Sequence, residues 1–256
     1  MIHPSAIIDP TARLAADVSV GPFTVIGPHV EIGAGTVIGP HVVIKGPTLI
    51  GRNNRIYQFS SIGEDPQDKK YQGEITRLEI GDRNVIREYV TLHRGTLQDA
   101  ALTKIGNDNL LMAYTHVAHD CVIGNHVIMA NGASLAGHVR VDDHAILGGF
   151  TLVHQFCQIG RQSFSGMGSV ISRDIPPYVM VGGSPTKPRG INNVGMERRG
   201  YDPDAILQIK RAFKVIYKSR LKLEEAIEQL ATMAEQSPEV LPMLDFLKQS
   251  GRSIIR

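Results

Sequence analysis

The chain has no tryptophan, and aromatic residues make up only 5% of its 256 positions. Its core must therefore be filled by small and aliphatic side chains rather than large rings. Two cysteines are too few for a disulfide framework and point to a reducing compartment. No apolar run approaches the ~20 residues of a bilayer span. The opening MIHPSAIIDPTARLAAD lacks the basic start and apolar stretch of a secretory signal. A cytoplasmic protein with no membrane span is expected. A net charge of +2 and a hydrophobic share of 42% exclude a supercharged nucleic-acid binder and a fully disordered chain. There is no GxGxxG between a strand and a helix, no GxxxxGK[ST] loop and no GxSxG elbow, so the common phosphate cradles and the serine nucleophile of hydrolases are missing.

What is plentiful is glycine, 26 residues, and it follows a period. Aliphatic residues recur every six positions at Ile8, Leu14, Val20, Ile26, Ile32, Ile38, Ile44, Ile50, Ile56 and Ile62. After an insertion near 64–79 the beat resumes at Ile80, Ile86 and Leu92; after a second, near 95–104, it resumes one phase later at Ile105 and runs to Ile171, with Ser165 its one polar member. A helix repeats at 3.6 residues and a strand at 2, so this beat fits neither alone. It fits a solenoid of short strands and tight turns, with three hexads per triangular coil and parallel stacking at about 4.8 Å. The beat residue and the fifth place point inward, and glycine at the second place relieves a crowded or strained corner. A β-sandwich with regular turns is the competing reading. Cys121 and Cys157 are both fifth-place residues two coils apart, roughly 10 Å along the axis, which is too far for a disulfide. They read as core fillers.

After Asp174 the pattern ends. IPPYVMVGGSPTKPRG reads as a linker, giving a solenoid over 1–180 and a linker with helices over 181–256. Asp202-Pro203 is a helix start, with an apolar stripe of Ile206, Ile209, Phe213, Ile216 and Tyr217. A second helix is expected from Leu223 to Glu235 and a third after Ser237-Pro238. Residues 198–256 carry 11 basic and 8 acidic side chains, either a solvated face or a surface for an anionic partner.

All ten histidines lie at or before His154. His119 takes the third place of its hexad; adding 18 gives Gly137 at the same azimuth, and adding 36 gives Gln155. Asp120 likewise meets His138. One face thus offers an imidazole, a carboxylate, a glycine amide and an amide side chain, the parts for deprotonating a hydroxyl and holding an oxyanion. A surface patch with incidental histidines is the plainer alternative. Zinc is a third, since His126 and His144 stack 18 apart, though a third ligand would have to come from elsewhere.

The I-G-x-x-x-x hexads resemble the hexapeptide-repeat acyltransferases. The stretches IGEDPQDKKYQGEITRLEIGDRN, VTLHRGT, THVAHDCVIGN, LAGHVRVDD, VHQFCQIG and IPPYVMVGG are similar to the branch acting on the 3-hydroxyl of UDP-N-acetylglucosamine at the start of lipid A synthesis. That resemblance implies an all-β left-handed parallel β-helix with a C-terminal α-helical domain, against the usual right-handed preference. It also implies a homotrimer with active sites between subunits, a 3-hydroxyacyl-acyl carrier protein as donor and no cofactor or metal. By the same resemblance His119 is the general base, Asp120 orients it and the Gly137 amide meets the oxyanion. Asp68 and Lys70 approach the sugar and the acyl hydroxyl, and His93, His116, His138, His154 and Gln155 line the cleft. Asn192, Arg198 and Arg199 approach the nucleotide, and Met167 limits acyl length to about ten carbons. Asn193-Val194 departs from members with an acidic residue near the nucleotide, and some members accept a 3-amino sugar. The fold alone also admits a zinc-dependent γ-class carbonic-anhydrase-like enzyme or a non-catalytic scaffold.

Overall fold

A computed structural model describes residues 1–250 and 253–256. Nearly every beat residue closes a short strand, as in Val25–Ile26, Val43–Ile44 and Val122–Ile123. Strands of successive coils pair in parallel, Val25 with Val43 and Ile26 with Ile44. Three sheets result. Sheet 1 contains His116–Val117 and Ser134–Leu135, sheet 2 Val122–Ile123 and Arg140–Val141, sheet 3 Ile128–Met129 and Ile146–Leu147. Together they wind as a left-handed parallel β-helix.

Beat and fifth-place residues form the core: Ile44, Ile50, Ile62 and Leu92 are fully buried, as are Thr24, Val42, Cys121 and Cys157. Slipping a strand by one residue would turn its beat residue to solvent, so the hydrophobic pattern fixes the register. Burial pushes the Cys121 thiol up to about 12, which makes it an inert filler. The polar beat, Ser165, is satisfied internally: its Oγ accepts from the Gly148 N–H and pairs with the Thr151 hydroxyl at 2.8 Å.

The corners divide the role expected of glycine. Second-place glycines answer crowding between coils: a Cβ on Gly106 would lie 2.5 Å from the Gly124 carbonyl oxygen. The left-handed backbone sits instead at the fourth place, on Phe23, His41, Phe59, Tyr89 and Tyr114, with φ between 54° and 65°. These rings stack coil on coil at 4.8–5.4 Å, and stacking offsets part of the cost of that conformation. Four of the 14 phenylalanines and tyrosines thus line one edge of the prism.

Outward strand residues differ by sheet. Sheet 1 shows Ile7, Val25, Val43, Leu152 and Val170, with Ser61, Thr91, His116 and Ser134 between them; sheet 3 shows Val37, Val85, Leu110, Ile128 and Ile146, with Ser19 and Arg55 toward its first coils. Sheet 2 shows Arg13, Glu31, Glu79, Lys104 and Arg140, with Leu49 and Val122 among them.

The segment read as a linker is folded. Val179–Gly182 adds to sheet 3 beside Phe164–Ser165, and Lys187–Ile191 returns antiparallel to it. The last coil leaves the edge of sheet 3 unpaired, and this hairpin covers it; its proline and glycine make the turn. Helices α1 (Asn193–Arg198), α2 (Pro203–Lys218), α3 (Leu223–Gln236) and α4 (Leu241–Gln249) follow. Asp202 caps α2 by accepting from the Asp204 N–H at 2.8 Å. Near the C-terminus Ile254 forms an isolated bridge with Asp174, and the Ile255 N–H donates to the Asp174 carbonyl at 2.9 Å, tying the helical unit back to the end of the coil.

Both insertions leave the same corner. The first joins Ser61–Glu64 of sheet 1 to Arg77–Ile80 of sheet 2, and the second joins Thr91–His93 to Leu102–Ile105.

Candidate active site

The corner between sheets 1 and 2 carries the cleft. Going along the axis, the coils there contribute the first insertion, the second insertion, His119-Asp120, Gly137-His138 and Gln155-Phe156. Gln67, Asp68, Lys70, Gln98, Asp99, His119, His138, Gln155 and Phe156 enclose about 620 Å³. Residues 18 apart do share an azimuth here: the His138 N–H donates to the His119 carbonyl at 3.1 Å, and a Cβ on Gly137 would lie 2.5 Å from His119 Cε1.

His119 Nδ1 lies 2.8 Å from Asp120 Oδ2. An ionised carboxylate only accepts, so Nδ1 carries the proton and Nε2 is left with its lone pair. The side chains are 13% and 1% exposed. Burial raises the Asp120 carboxyl, but hydrogen bonds from His119 and Thr96 outweigh it and hold the group below its ordinary value. Thr96 donates its N–H to Oδ1 at 2.8 Å and its hydroxyl to Oδ2 at 2.6 Å. The ligating atoms of His119, Asp120 and His138 lie within 4.8 Å of one another, yet both carboxylate oxygens are occupied by protein donors. The cluster is organised by protons.

His138 is held by Asp99, Nδ1 to Oδ2 at 3.1 Å, and its ring stacks on Phe156 at 4.5 Å. His93 and His116 lie beside the cleft on sheet 1, their rings edge to face at 5.3 Å, with Thr91 Oγ1 2.7 Å from His116 Nδ1. Desolvation, then the neighbouring His93 and His119, push His116 down to about 4, so it is uncharged at neutral pH. An unfolded chain protonates His116 near the ordinary imidazole value of 6.5, so folded stability should fall as pH drops from there toward 4 and then level off. Melting temperature is expected to drop by a few degrees between pH 7 and 5, and by less in His116→Gln; equal losses in both proteins would show that His116 is not responsible.

Other expected residues stand apart from this cleft within one chain. His154 lines a separate hollow with Ser172, Arg173 and Ser253. Asn192 caps α1, its Oδ1 accepting from the Gly195 N–H at 3.1 Å while Nδ2 donates to the Gln162 carbonyl at 3.0 Å. Arg199 donates to the Gly195 carbonyl at 2.9 Å and lies by Gln162, and Arg198 is exposed. Gln162 belongs to the corner between sheets 2 and 3, as do His126 and His144. Those two imidazoles stack flat, 4.7 Å apart at 3°, so their in-plane nitrogens run side by side instead of converging as zinc ligands must. Met167 lies on the remaining corner, between sheets 3 and 1.

The sequence reading passed over Gln67, Gln98, Asp99, Phe156 and Thr96. A signal was present: both insertions follow a sheet 1 beat, which places their loops over the corner that His119 occupies.

Comparison with known proteins gives the family. Residues 174–255 match the second domain of the UDP-N-acetylglucosamine O-acyltransferases, and 11–46 and 102–137 match the bacterial transferase hexapeptide family. The acyl-[acyl-carrier-protein]–UDP-N-acetylglucosamine O-acyltransferase of Pseudomonas paraeruginosa is 61% identical over 256 residues, covering 100% of this chain and 99% of its own. The chain belongs to the UDP-N-acetylglucosamine O-acyltransferase family. The solved LpxA from Acinetobacter baumannii superposes with a TM-score of 0.98 at 51% identity, covering 100% of this chain and 99% of that one. The Francisella novicida UDP-N-acetylglucosamine acyltransferase gives 0.98 at 42%, covering 100% and 94%. Membership makes this an acyltransferase and leaves the carbonic-anhydrase-like and scaffold alternatives without support.

Proposed function

We propose that this enzyme moves a 3-hydroxyacyl chain from acyl carrier protein to the glucosamine 3-hydroxyl of UDP-N-acetylglucosamine in lipid A synthesis, with His119 as general base. The observation that carries this reading is the His119 ring, fixed by the buried Asp120 carboxylate and lying over Gly137 in a polar cleft. His119 Nε2 takes the hydroxyl proton as the oxygen attacks the thioester carbonyl; the carrier thiolate leaves and receives that proton. Asp120 favours the imidazolium. The Gly137 N–H donates to no acceptor among the described residues and is available to the oxyanion. Asp68 and Lys70 would bind sugar and acyl hydroxyl, and His93, His116, His138, His154 and Gln155 would border the path. The basic tail would dock the acidic carrier.

The working unit in this reading is a homotrimer. The outward faces of sheets 1 and 3 carry more apolar and fewer charged side chains than that of sheet 2, a pattern for two buried faces and one wet one. Threefold packing of sheet 1 on a neighbour's sheet 3 sets the His119 corner beside the neighbour's corner between sheets 2 and 3. Asn192, Arg198 and Arg199 would then reach the nucleotide across the interface, where arginine suits paired phosphates.

Assay of purified protein with UDP-N-acetylglucosamine and a panel of 3-hydroxyacyl carrier proteins, alongside sedimentation, tests both parts. Product from a trimer is expected; a correctly assembled trimer inert toward every donor would reject the reading. Gly137→Ala should lower kcat about a hundredfold or more, because its methyl collides with the His119 ring and removes the base from line with its proton. Parent-like kcat would show that the ring has another resting place.

A further inference from the structure

We propose that Thr96, on the second insertion, is a positioning residue that locks the dyad carboxylate and limits how tightly it binds the His119 proton. The inference rests on His119 acting as the base. Thr96 is 1% exposed and uses every polar group it has. Its N–H and hydroxyl reach the two oxygens of Asp120, and its carbonyl accepts from the Asp99 and Ala101 N–H groups at 3.3 and 3.1 Å. Those last bonds close the turn that presents Asp99 to His138. One threonine therefore ties both imidazoles of the cleft to one loop.

The surroundings make the loop's approach specific. Asp120 has φ of 59°, a left-handed conformation fixed by its N–H donating to Thr103 Oγ1 at 2.8 Å. A Cβ on Gly95 would lie 2.8 Å from Asp120 Oδ1 and 2.2 Å from the Leu102 nitrogen, so only glycine lets Thr96 come this near. Oδ2 accepts from both the Thr96 hydroxyl and His119 Nδ1. Two donors share one charged oxygen, and each weakens its hold on the other. Without the threonine hydroxyl the carboxylate turns more of its charge on the imidazolium, which raises the proton affinity of His119, and it loses a restraint on its rotamer.

Thr96→Val keeps shape and backbone donor while deleting the hydroxyl; Thr96→Ser retains it. We expect kcat in Thr96→Val to fall about tenfold, the scale of one charge-assisted hydrogen bond, with KM for UDP-N-acetylglucosamine nearly unchanged. The acid limb of kcat/KM should move up by about half a pH unit, and Thr96→Ser should restore both. The other groups facing the dyad (His93, His116, His138, Asp99, Asp68 and Lys70) are the same in all these proteins. Unchanged kcat and limb overturn the proposal, as does a loss of kcat with the limb in place or one that serine fails to rescue. If Thr96→Val does not assemble, Thr96→Ala is read by the same two criteria. His119→Ala run in parallel separates the cases: turnover surviving there defeats the base assignment, whereas a silent His119→Ala with an unmoved Thr96→Val limb defeats only the role of Thr96.

Discussion

His119→Ala is expected to lower kcat/KM by about 10³–10⁴, the upper range for removing a positioned general base, while the proposed trimer persists. The ring lies outside the aliphatic core and touches Asp120, Gly137 and His138 instead, so its loss leaves the coil stack intact. The cost falls on chemistry because a sugar hydroxyl is a weak nucleophile until its proton is taken. Binding of UDP-N-acetylglucosamine should change little, since the proposed nucleotide contacts, Asn192, Arg198 and Arg199, lie elsewhere. Steady-state kinetics and sedimentation of the variant check this together. Activity within about threefold of the parent, against the hundredfold or more that acid–base catalysis commands, would reject His119 as the base.

Met167→Gly is expected to shift donor preference from ten toward fourteen carbons. Met167 is 79% exposed in the single chain, between Gly166 and Gly168, and the Cβ position of Gly149 on the preceding coil is 4.0 Å from its Cγ. Such an exposed thioether has no core to fill within its own chain. In the proposed trimer, sheet 1 of one subunit and sheet 3 of the next form a seam running inward from the His119 corner toward the corner that bears Met167. An acyl chain lying along that seam would end against it. Each methylene denied an apolar site forfeits ~0.8 kcal/mol, so four amount to roughly 3 kcal/mol, or about a hundredfold in selectivity. Comparison of kcat/KM for ten-, twelve- and fourteen-carbon donors in parent and variant decides it. A parent that already prefers fourteen carbons, or a variant with unchanged ranking, removes Met167 as the ruler.

Much of this molecule is legible from period alone. The six-residue beat places Ile44, Leu92 and Cys121 inside, and the 18-residue coil puts Gly137 and His138 against His119 and Asp120. That works because parallel pairing repeats one geometry per coil: identical azimuths follow from arithmetic, and only the beat register buries the aliphatic side chains. The stacking of His126 on His144 was legible for the same reason, though not that it sets their nitrogens side by side.

What the tertiary structure decided lies where the period breaks or the chain leaves it. Thr96 meets Asp120 across 24 residues and Asp99 meets His138 across 39, through an insertion whose path no repeat specifies. The Pro- and Gly-rich segment after Asp174 became a hairpin because the last coil presented an open edge to it. Fourth-place residues took left-handed backbone because the corner must turn there, whatever side chain the sequence supplies. Hydrophobic periodicity thus determined the prism and the address of His119 on it; long-range hydrogen bonding, which periodicity does not encode, determined the loops that close over that address and the carboxylate geometry beneath them.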